Sequence, residues 1–258
     1  MRPGKKDEAN MKRLVLPKAY QAVHEALEEA IMEGRLRTGD PLPTETDLAS
    51  KFGVTRHTVR EGIRVLEQSG FVRREAGRRL FVSLPRHNEL APRSSRALLM
   101  QKVTFRELWE VALQLEVCAA ELAASRNSRK LVDALRDNLS QMEAALKRGR
   151  DIIELDIAFH ALIADATENR VLLLAREPVT LLFYPALKKL FKHPKTKEIA
   201  PQRLLEAHRH LVQAFQDRDQ AAVKEWMSKH LIDFRRGYDF AGMDIDGIAD
   251  LRIDHFRE

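Results

Sequence analysis

The second half of the sequence carries four ionisable side chains at positions where helices would turn them toward an apolar interior. In residues 150–167, RDIIELDIAFHALIADAT, Asp156 and His160 are four positions apart and therefore share one face of a helix with isoleucines. His208 lies on the leucine stripe of RLLEAHRHLVQAF, and His230 continues the apolar stripe of VKEWMSKHLIDF. Three predicted helices thus direct one carboxylate and three imidazoles inward.

Such a cluster can bind a metal ion. Burying the four groups without partners would cost several kcal/mol, which a cation would offset. One carboxylate and three imidazoles suit a borderline divalent metal such as zinc, nickel, cobalt or iron, and we expect zinc or nickel. A single histidine on an apolar face is more often a satisfied core residue, but three from three helices favour a metal site at Asp156, His160, His208 and His230. His210 faces away from this stripe, so we expect it to be exposed.

The elements of the first half predict a helix-turn-helix within residues 40–82. A short helix capped by Thr44 should end at Gly53, because glycine readily adopts the left-handed conformation of a helix stop. A second helix capped by Thr55 should end at Gly70. The residues that follow read as a hairpin of two short strands, which we call the wing.

The start of the second helix suits an interaction with double-stranded DNA. Arg56, His57 and Arg60 lie in its first two turns, away from its apolar stripe, where a recognition helix presents side chains to base edges. Thr55 and Thr58 add hydroxyl groups that suit phosphates or bases.

The charge of this region supports the same interpretation. Residues 51–82 contain eight Lys or Arg and three Glu, a net charge of +5, whereas the whole chain carries +6. A solvated basic face on an ordinary helix pair is the alternative. The combination of a basic helix start with a wing favours nucleic-acid binding.

The sequence also indicates the cellular compartment of the protein and whether a membrane span is expected. The first 13 residues contain basic side chains and no apolar run, so no secretory signal is expected. No stretch approaches the roughly 18 apolar residues of a membrane span. Cys118 is the only cysteine, which excludes an intrachain disulfide and agrees with a reducing compartment. We therefore expect a soluble cytoplasmic protein without a membrane partner, with Cys118 in its core.

The chain should fold as two domains of a mainly α protein. Proline-rich residues 83–95, SLPRHNELAPRSS, predict a linker, with the boundary at Pro85. Residues 1–85 then form the winged helix-turn-helix domain with a basic N-terminal arm. Residues 86–258 show only helical periodicity and predict an all-α bundle of six or seven helices, beginning with a short helix at 96–102.

The run LPTETDLASKFGVTRHTVREGIRVLEQSGFV resembles the winged helix of the GntR family of bacterial transcription regulators, with a pattern close to LPSERxLAxxxGVSRxTVRxALxxLxxxGLV. The resemblance implies that Thr55, Arg56, Thr58 and Arg60 contact DNA and that Gly77 approaches the minor groove. Two departures from the family pattern stand out. Thr46 replaces a customary arginine, and Gly77-Arg78-Arg79 replaces the usual Gly-Arg-Gly, which makes Arg78 and Arg79 candidate wing contacts.

The second half resembles the all-helical C-terminal (FCD) domain of the FadR-like branch of that family, through Asp156–His160, Asn169, Glu206–His208 and His230. The resemblance implies a small-molecule sensor, usually for a carboxylate metabolite, beside a metal held by one Asp and three His. In the first long helix, Ala112 stands where many members carry an arginine that faces the effector. Arg176 and Tyr184 are the remaining candidates for effector contacts.

These features predict a metabolite-responsive transcriptional repressor that binds a two-fold operator as a homodimer, because one recognition helix reads only a few base pairs. Two alternatives remain. The Asp and His side chains could serve a metal-dependent enzyme, with Glu206 as a nearby acid or base. The protein could also bind DNA without regard to sequence. A helix-turn-helix on the same chain favours metal-assisted sensing over catalysis.

Overall fold

The structure, a computed structural model, describes residues 18–75, 79–85, 87–126 and 128–249, with the backbone alone at 87 and 88. The chain divides into two compact units, Met1–Arg86 and His87–Glu258. The basic arm predicted at the N-terminus lies outside the described residues. Within the described part of the chain, no helix has both the length and the apolar character needed to cross a membrane.

The first unit contains three helices and one hairpin. Its elements are α1 (Ala19–Met32), α2 (Glu45–Phe52), α3 (Arg56–Ser69), β1 (Val72–Arg74) and β2 (Leu80–Val82). The Thr44 hydroxyl accepts a hydrogen bond from the backbone N–H at the third position of α2, and Thr55 does the same for α3. Gly53 and Gly70 end these helices with φ values of 65° and 82°. The predicted helix-turn-helix and its two caps are therefore present.

The wing is more extensive than the sequence predicted. β1 and β2 pair antiparallel, with Val72 opposite Val82. The segment before α2 adds a bridge between Pro41 and Phe81. The backbone N–H of Leu42 donates to the Leu80 carbonyl at 2.8 Å. Proline has no N–H to donate, so the pattern of this segment did not indicate a strand.

One apolar core holds the first unit together, and α1 covers α3 within it. The buried apolar residues of this core come from every element of the unit: Val23, Leu27, Ile31, Leu42, Leu48, Val59, Ile63, Leu66, Val72 and Val82. The approach of α1 to α3 requires Gly62. A Cβ at this position would lie 2.8 Å from Val23 Cγ1 and 2.9 Å from the Tyr20 carbonyl oxygen. The two backbones thus pack closer than an alanine would permit.

The second unit is an all-helical bundle, as predicted, and contains seven helices in its described residues. They are α4 (His87–Met100), α5 (Phe105–Arg126), α6 (Arg129–Lys147), α7 (Ile153–Ala166), α8 (Arg170–Lys192), α9 (Ala200–Asp217) and α10 (Gln220–Ala241). Helix α4 begins nine residues before the predicted position of the first helix and includes Pro92. The linker predicted at 83–95 is wrong over most of its length. Tertiary packing outweighs the proline, because Ala91 is buried and the buried Ser95 hydroxyl donates to the Pro178 carbonyl of α8.

Helix α5 lies at the centre of this bundle, against α7, α8 and α10. Its buried face is rich in alanine, which allows neighbouring helices to approach. The Phe105 and Tyr238 rings stack with centroids 4.2 Å apart, and the Trp109 indole donates to the Leu231 carbonyl at 2.8 Å. Cys118, expected in the core, is exposed on the opposite side of α5. That helix is apolar on much of its circumference, so composition alone did not indicate which side is buried.

The segment after α10 packs back on the start of α5. Thr104 bridges Ile248, and the N–H of Ala249 donates to the Val103 carbonyl at 2.8 Å. Arg106 binds Asp246 through Nε at 2.6 Å. Residues 242–249 therefore belong to the bundle.

Candidate metal centre and nucleic-acid interface

The four inward-facing side chains predicted from helical periodicity meet in the second unit. Asp156 and His160 come from α7, His208 from α9 and His230 from α10, and one ligand atom of each lies within 4.8 Å of the others. We call this group the Asp–His cluster. Its first three members are buried and His230 is partly exposed. His210, which was expected to face away, is exposed and stacks on the ring of Trp226.

Two of the imidazoles are oriented by acceptors on their outer side. His160 Nδ1 lies 3.0 Å from Glu116 Oε2, and His208 Nδ1 lies 3.3 Å from Met142 Sδ. A carboxylate and a thioether can only accept, so each contact is a hydrogen bond when the Nδ1 atom carries the proton. In that tautomer a neutral imidazole directs the lone pair of its Nε2 atom into the cluster. This is the arrangement in which an outer partner fixes the tautomer of a metal-binding histidine.

The inner ligand atoms of the cluster lie close to one another. His160 Nε2 lies 3.2 Å from His230 Nε2, and Asp156 Oδ1 lies 3.7 Å from His160 Nε2 and 3.3 Å from His208 Nε2. Despite this proximity, Asp156 Oδ1 and His208 Nε2 have no hydrogen-bond partner among the described residues. Ligand atoms around a tetrahedral zinc ion lie roughly 3.3 Å apart, given metal–ligand distances of about 2.0–2.1 Å. The donor set and its spacing therefore fit a divalent metal ion.

The electrostatics favour the protonation states that a metal requires at three of the four members of the cluster. Burial lowers the pKa of His208, and it lowers the pKa of His230 well below the ordinary value. Burial alone would raise the pKa of Asp156, but the neighbouring imidazoles hold that pKa at about 2. His160 behaves differently, because the adjacent Glu116 carboxylate outweighs burial and raises its pKa. At neutral pH the cluster thus presents an ionised carboxylate and at least two neutral imidazoles.

A buried ion pair supports the cluster from behind. The Arg176 guanidinium of α8 donates from Nε to Glu116 Oε1 at 2.7 Å, while the other oxygen of Glu116 binds His160. Burial would raise the pKa of Glu116, but Arg176 and His160 outweigh it and lower that pKa. The structure thus places Arg176, a candidate effector contact, where its charge is already matched by Glu116. Sequence reasoning missed the role of Glu116. In the sequence, this role could have been recognised from the position of the Glu116 carboxylate on the otherwise alanine-rich face of α5.

Two cavities adjoin the cluster. The inner cavity, of about 30 Å³, is lined by the candidate Tyr184 and by Ala112, together with Asp156, His160 and His230. A larger cavity, of about 360 Å³, lies between α8, α9 and α10, and we call it the α8–α10 cavity.

The predicted DNA contacts lie at the exposed start of α3. Thr55, Arg56, His57 and Arg60 are exposed, and Thr58 is half-buried. The Thr55 and Thr58 hydroxyl groups lie 2.9 Å apart, so one of them donates to the other. These hydroxyls therefore also hold the turn that presents the arginines.

Glu45, which sequence reasoning missed, holds Arg60. Arg60 donates to the Glu45 carboxylate through Nε at 3.1 Å and Nη2 at 2.7 Å. This bidentate pair fixes the direction of the guanidinium across the helix-turn-helix. In the wing, Arg79 is exposed, with its guanidinium 5.9 Å from the ring centroid of Phe81. Gly77 and Arg78 lie outside the described residues.

A winged helix with an exposed basic helix start, joined in one chain to an all-helical domain with a buried ligand cluster, defines the class of two-domain DNA-binding regulators. Comparison with known proteins gives the same class: residues 19–82 match the family described as "Bacterial regulatory proteins, gntR family", and residues 107–233 match the FCD domain. The chain belongs to the GntR family, and it is a DNA-binding transcriptional regulator.

Several curated relatives support this assignment. The "HTH-type transcriptional regulator LutR" of Bacillus subtilis (strain 168) is 30% identical over 202 residues, which cover 78% of this chain and 92% of the relative. The "Glc operon transcriptional activator" of Escherichia coli (strain K12) is 30% identical over 188 residues, covering 69% and 74%. The solved structure described as "Streptococcus agalactiae GntR" has a TM-score of 0.59 at 23% identity and covers 84% of this chain and 99% of that one. The structural match supports the fold.

Proposed function

We propose that this regulator is a metabolite-responsive repressor that acts in the cytoplasm and binds a two-fold operator as a homodimer. In this proposal residues 1–85 bind double-stranded DNA, and residues 86–258 bind a divalent transition metal and a small-molecule effector and form the dimer. The observation that carries the sensing role is the convergence of the Asp–His cluster, in which Asp156 Oδ1 and His208 Nε2 are buried and unpaired.

The DNA-binding part of the proposal rests on α3 and the wing. Arg56 and His57 are free to approach base edges, while Glu45 orients Arg60 for the same groove or its phosphates. Thr55 and Thr58 supply hydroxyl groups to phosphates, and Gly77, Arg78 and Arg79 of the wing reach the minor groove. Relatives named for the Glc and Uxu operons support recognition of particular operators over binding without regard to sequence.

The sensing part assigns the Asp–His cluster to a metal, zinc or nickel by its donor set. When bound, the metal would supply a positive charge that can hold an effector oxygen. Asp156, His160, His208 and His230 would hold it, Glu116 and Met142 orient two of the imidazoles, and Tyr184 lines the adjoining cavity. Arg176 contributes by neutralising Glu116. A carboxylate is the effector class that this arrangement fits, and the site binds it without catalysing a reaction.

The DNA-binding part of the proposal is tested by selecting the DNA fragments that the full-length protein binds. Fragments retained by the full-length protein should share two half-sites related by two-fold symmetry, and native mass spectrometry should give a dimer that contains metal. Arg56→Ala should weaken binding to the selected fragment by about 5-fold to 150-fold, the range for one base-reading arginine. Arg129→Ala, an exposed arginine of the helical unit, should leave that affinity unchanged. Equal affinity of the Arg56→Ala variant and the wild type would refute the assigned DNA interface.

A further inference from the structure

The α8–α10 cavity is the larger of the two cavities beside the Asp–His cluster. Its volume is about 360 Å³, which falls in the range of roughly 300–1,000 Å³ typical of small-molecule sites. The C-terminal part of α8, the start of α9 and the C-terminal part of α10 enclose it, and its lining is mostly apolar, with Leu190, Phe191, Ala200 and Phe240 among it.

This cavity shares a wall with the cluster. Leu187, Leu204, His230 and Phe234 line both the α8–α10 cavity and the inner cavity. His230 is also the only partly exposed member of the cluster. A ligand in the larger cavity would therefore lie against the partly exposed member of the cluster.

The inner cavity has room for only part of an organic effector. About 30 Å³ accommodates one or two water-sized groups, since a single water needs roughly 10–15 Å³ on this measure. An organic molecule can place one polar group there, but the rest of it must lie elsewhere. The rest of the molecule can lie in the adjoining α8–α10 cavity, which shares a wall with the inner cavity.

Charge indicates which polar group would face the cluster. Arg176 pairs with the buried Glu116 and with the partly exposed Glu177, so within the buried part of the site a divalent ion held by Asp156 would leave one excess positive charge. That charge favours a monoanion. At the opposite end, Arg203 is paired with Asp233 at 2.7 Å, which leaves Arg236 as an exposed cation at the rim.

We propose that the α8–α10 cavity binds the apolar body of the effector, and that the effector is an amphipathic monoanion whose anionic group faces the cluster across His230. This inference rests on the proposed sensing function and specifies its ligand class. It predicts that affinity increases with the apolar length of the ligand. A small hydroxy acid or sugar acid would leave the cavity unfilled.

A series of straight-chain carboxylates tests the inference on the full-length, metal-loaded protein. Calorimetric titration with acetate, butyrate and octanoate should show an affinity gain of about 4-fold per buried methylene, and on the order of 100-fold from butyrate to octanoate. Ala200→Trp fills the cavity and should abolish that gain while leaving acetate binding intact. Ala221→Trp, which adds the same bulk to an exposed first-turn alanine of α10, should retain the gain.

Two further variants distinguish a loss of ligand binding from a folding defect and test the orientation of the bound anion. Phe240→Ala removes an exposed part of the cavity wall, so the fold should survive while octanoate affinity falls several-fold. Arg236→Gln should change octanoate affinity less than about 2-fold. A 10-fold loss in that variant would overturn the inward orientation of the anion.

Metal content and binding to the selected DNA are measured on the same samples, which separates this inference from the proposed function. Metal-loaded, DNA-binding protein that binds octanoate no better than acetate would overturn the inference alone. Dissociation of the dimer in Ala200→Trp would also overturn it, because the cavity would then be a subunit interface. A chain-length gain in protein that retains no metal, abolished by Ala200→Trp, would support the apolar site and refute the metal.

Discussion

Asp156→Asn should destabilise the metal-free helical unit and also remove most of the stabilisation that a metal provides. In the metal-free state the carboxylate is buried, and the neighbouring imidazoles hold its pKa at about 2, below the ordinary value of 3.8. The folded protein therefore favours the ionised form more than the unfolded chain does. A neutral asparagine of the same shape loses that attraction.

The magnitude follows from the shift of the Asp156 pKa from 3.8 to about 2, which corresponds to roughly 2 kcal/mol of stability at neutral pH. A loss of about 2 kcal/mol would lower the melting temperature of the helical unit by about 4–8 °C, at roughly 2–4 °C per kcal/mol for a domain of this size. With metal the difference between the wild type and the variant grows. Free metal at about 100 times its Kd stabilises the wild type by about 2.7 kcal/mol. If the lost ligand weakens binding about 100-fold, the same metal concentration stabilises the variant by only about 0.4 kcal/mol.

Tryptophan fluorescence offers an assay confined to the helical unit, because both tryptophans of the chain, Trp109 and Trp226, lie there. Thermal unfolding is recorded with chelator and with added zinc or nickel. Asp165→Asn, an exposed position on the same helix, removes the same charge and should reproduce the wild-type curves. An unchanged or higher melting temperature of Asp156→Asn in chelator, or an undiminished metal shift, would refute the reasoning about the cluster.

The remaining predictions concern residues that act through others. Glu116→Gln should weaken metal binding about 10-fold to 100-fold, measured by competition with a chromophoric chelator, because His160 loses the carboxylate that orients it. Glu45→Gln should change stability by less than about 1 kcal/mol but lower the ratio of specific to nonspecific DNA affinity in anisotropy titrations at fixed salt, since Arg60 loses its fixed direction. Gly62→Ala should lower the free energy of unfolding by about 1–3 kcal/mol in urea titrations, because its Cβ would meet the immobile Tyr20 carbonyl; an unchanged midpoint would contradict the close approach of α1 and α3.

Local sequence signals predicted the parts of the fold that depend on neighbouring residues. The caps at Thr44 and Thr55 and the stops at Gly53 and Gly70 are set within four residues of the chain, and the structure has them there. The helical faces that carry the Asp–His cluster were equally readable, because periodicity fixes which side chains share a face. Periodicity could not tell that these faces meet at one point.

The features that sequence reasoning missed depend on partners distant in the chain. Arg60 is held by Glu45, 15 positions earlier, and His160 by Glu116, 44 positions earlier. The start of α4 was missed because the burial of Ser95 against α8 outweighs a proline, which no local rule reports. Cys118 was placed on the wrong side because α5 lacks a sharply polar face. In each case the deciding contact is tertiary.

The pair formed by Glu116 and Arg176 accounts for the position of the buried Arg176 guanidinium beside the Asp–His cluster. Ala112 stands where the family resemblance places an arginine, and the nearest buried guanidinium, Arg176, already binds Glu116 at 2.7 Å. Withdrawing it would leave Glu116 as an unpaired buried charge, which costs about 3–5 kcal/mol. Arg176 therefore stays in place and can offer a ligand only its Nη2, which has no partner among the described residues. Because Glu116 and Glu177 match its charge, an anionic effector would take its opposing charge mainly from a metal held by the Asp–His cluster. Because that cluster draws on α7, α9 and α10 together, such a ligand would bind to three helices at once, which is what a sensor requires to convert occupancy into a change of helix packing.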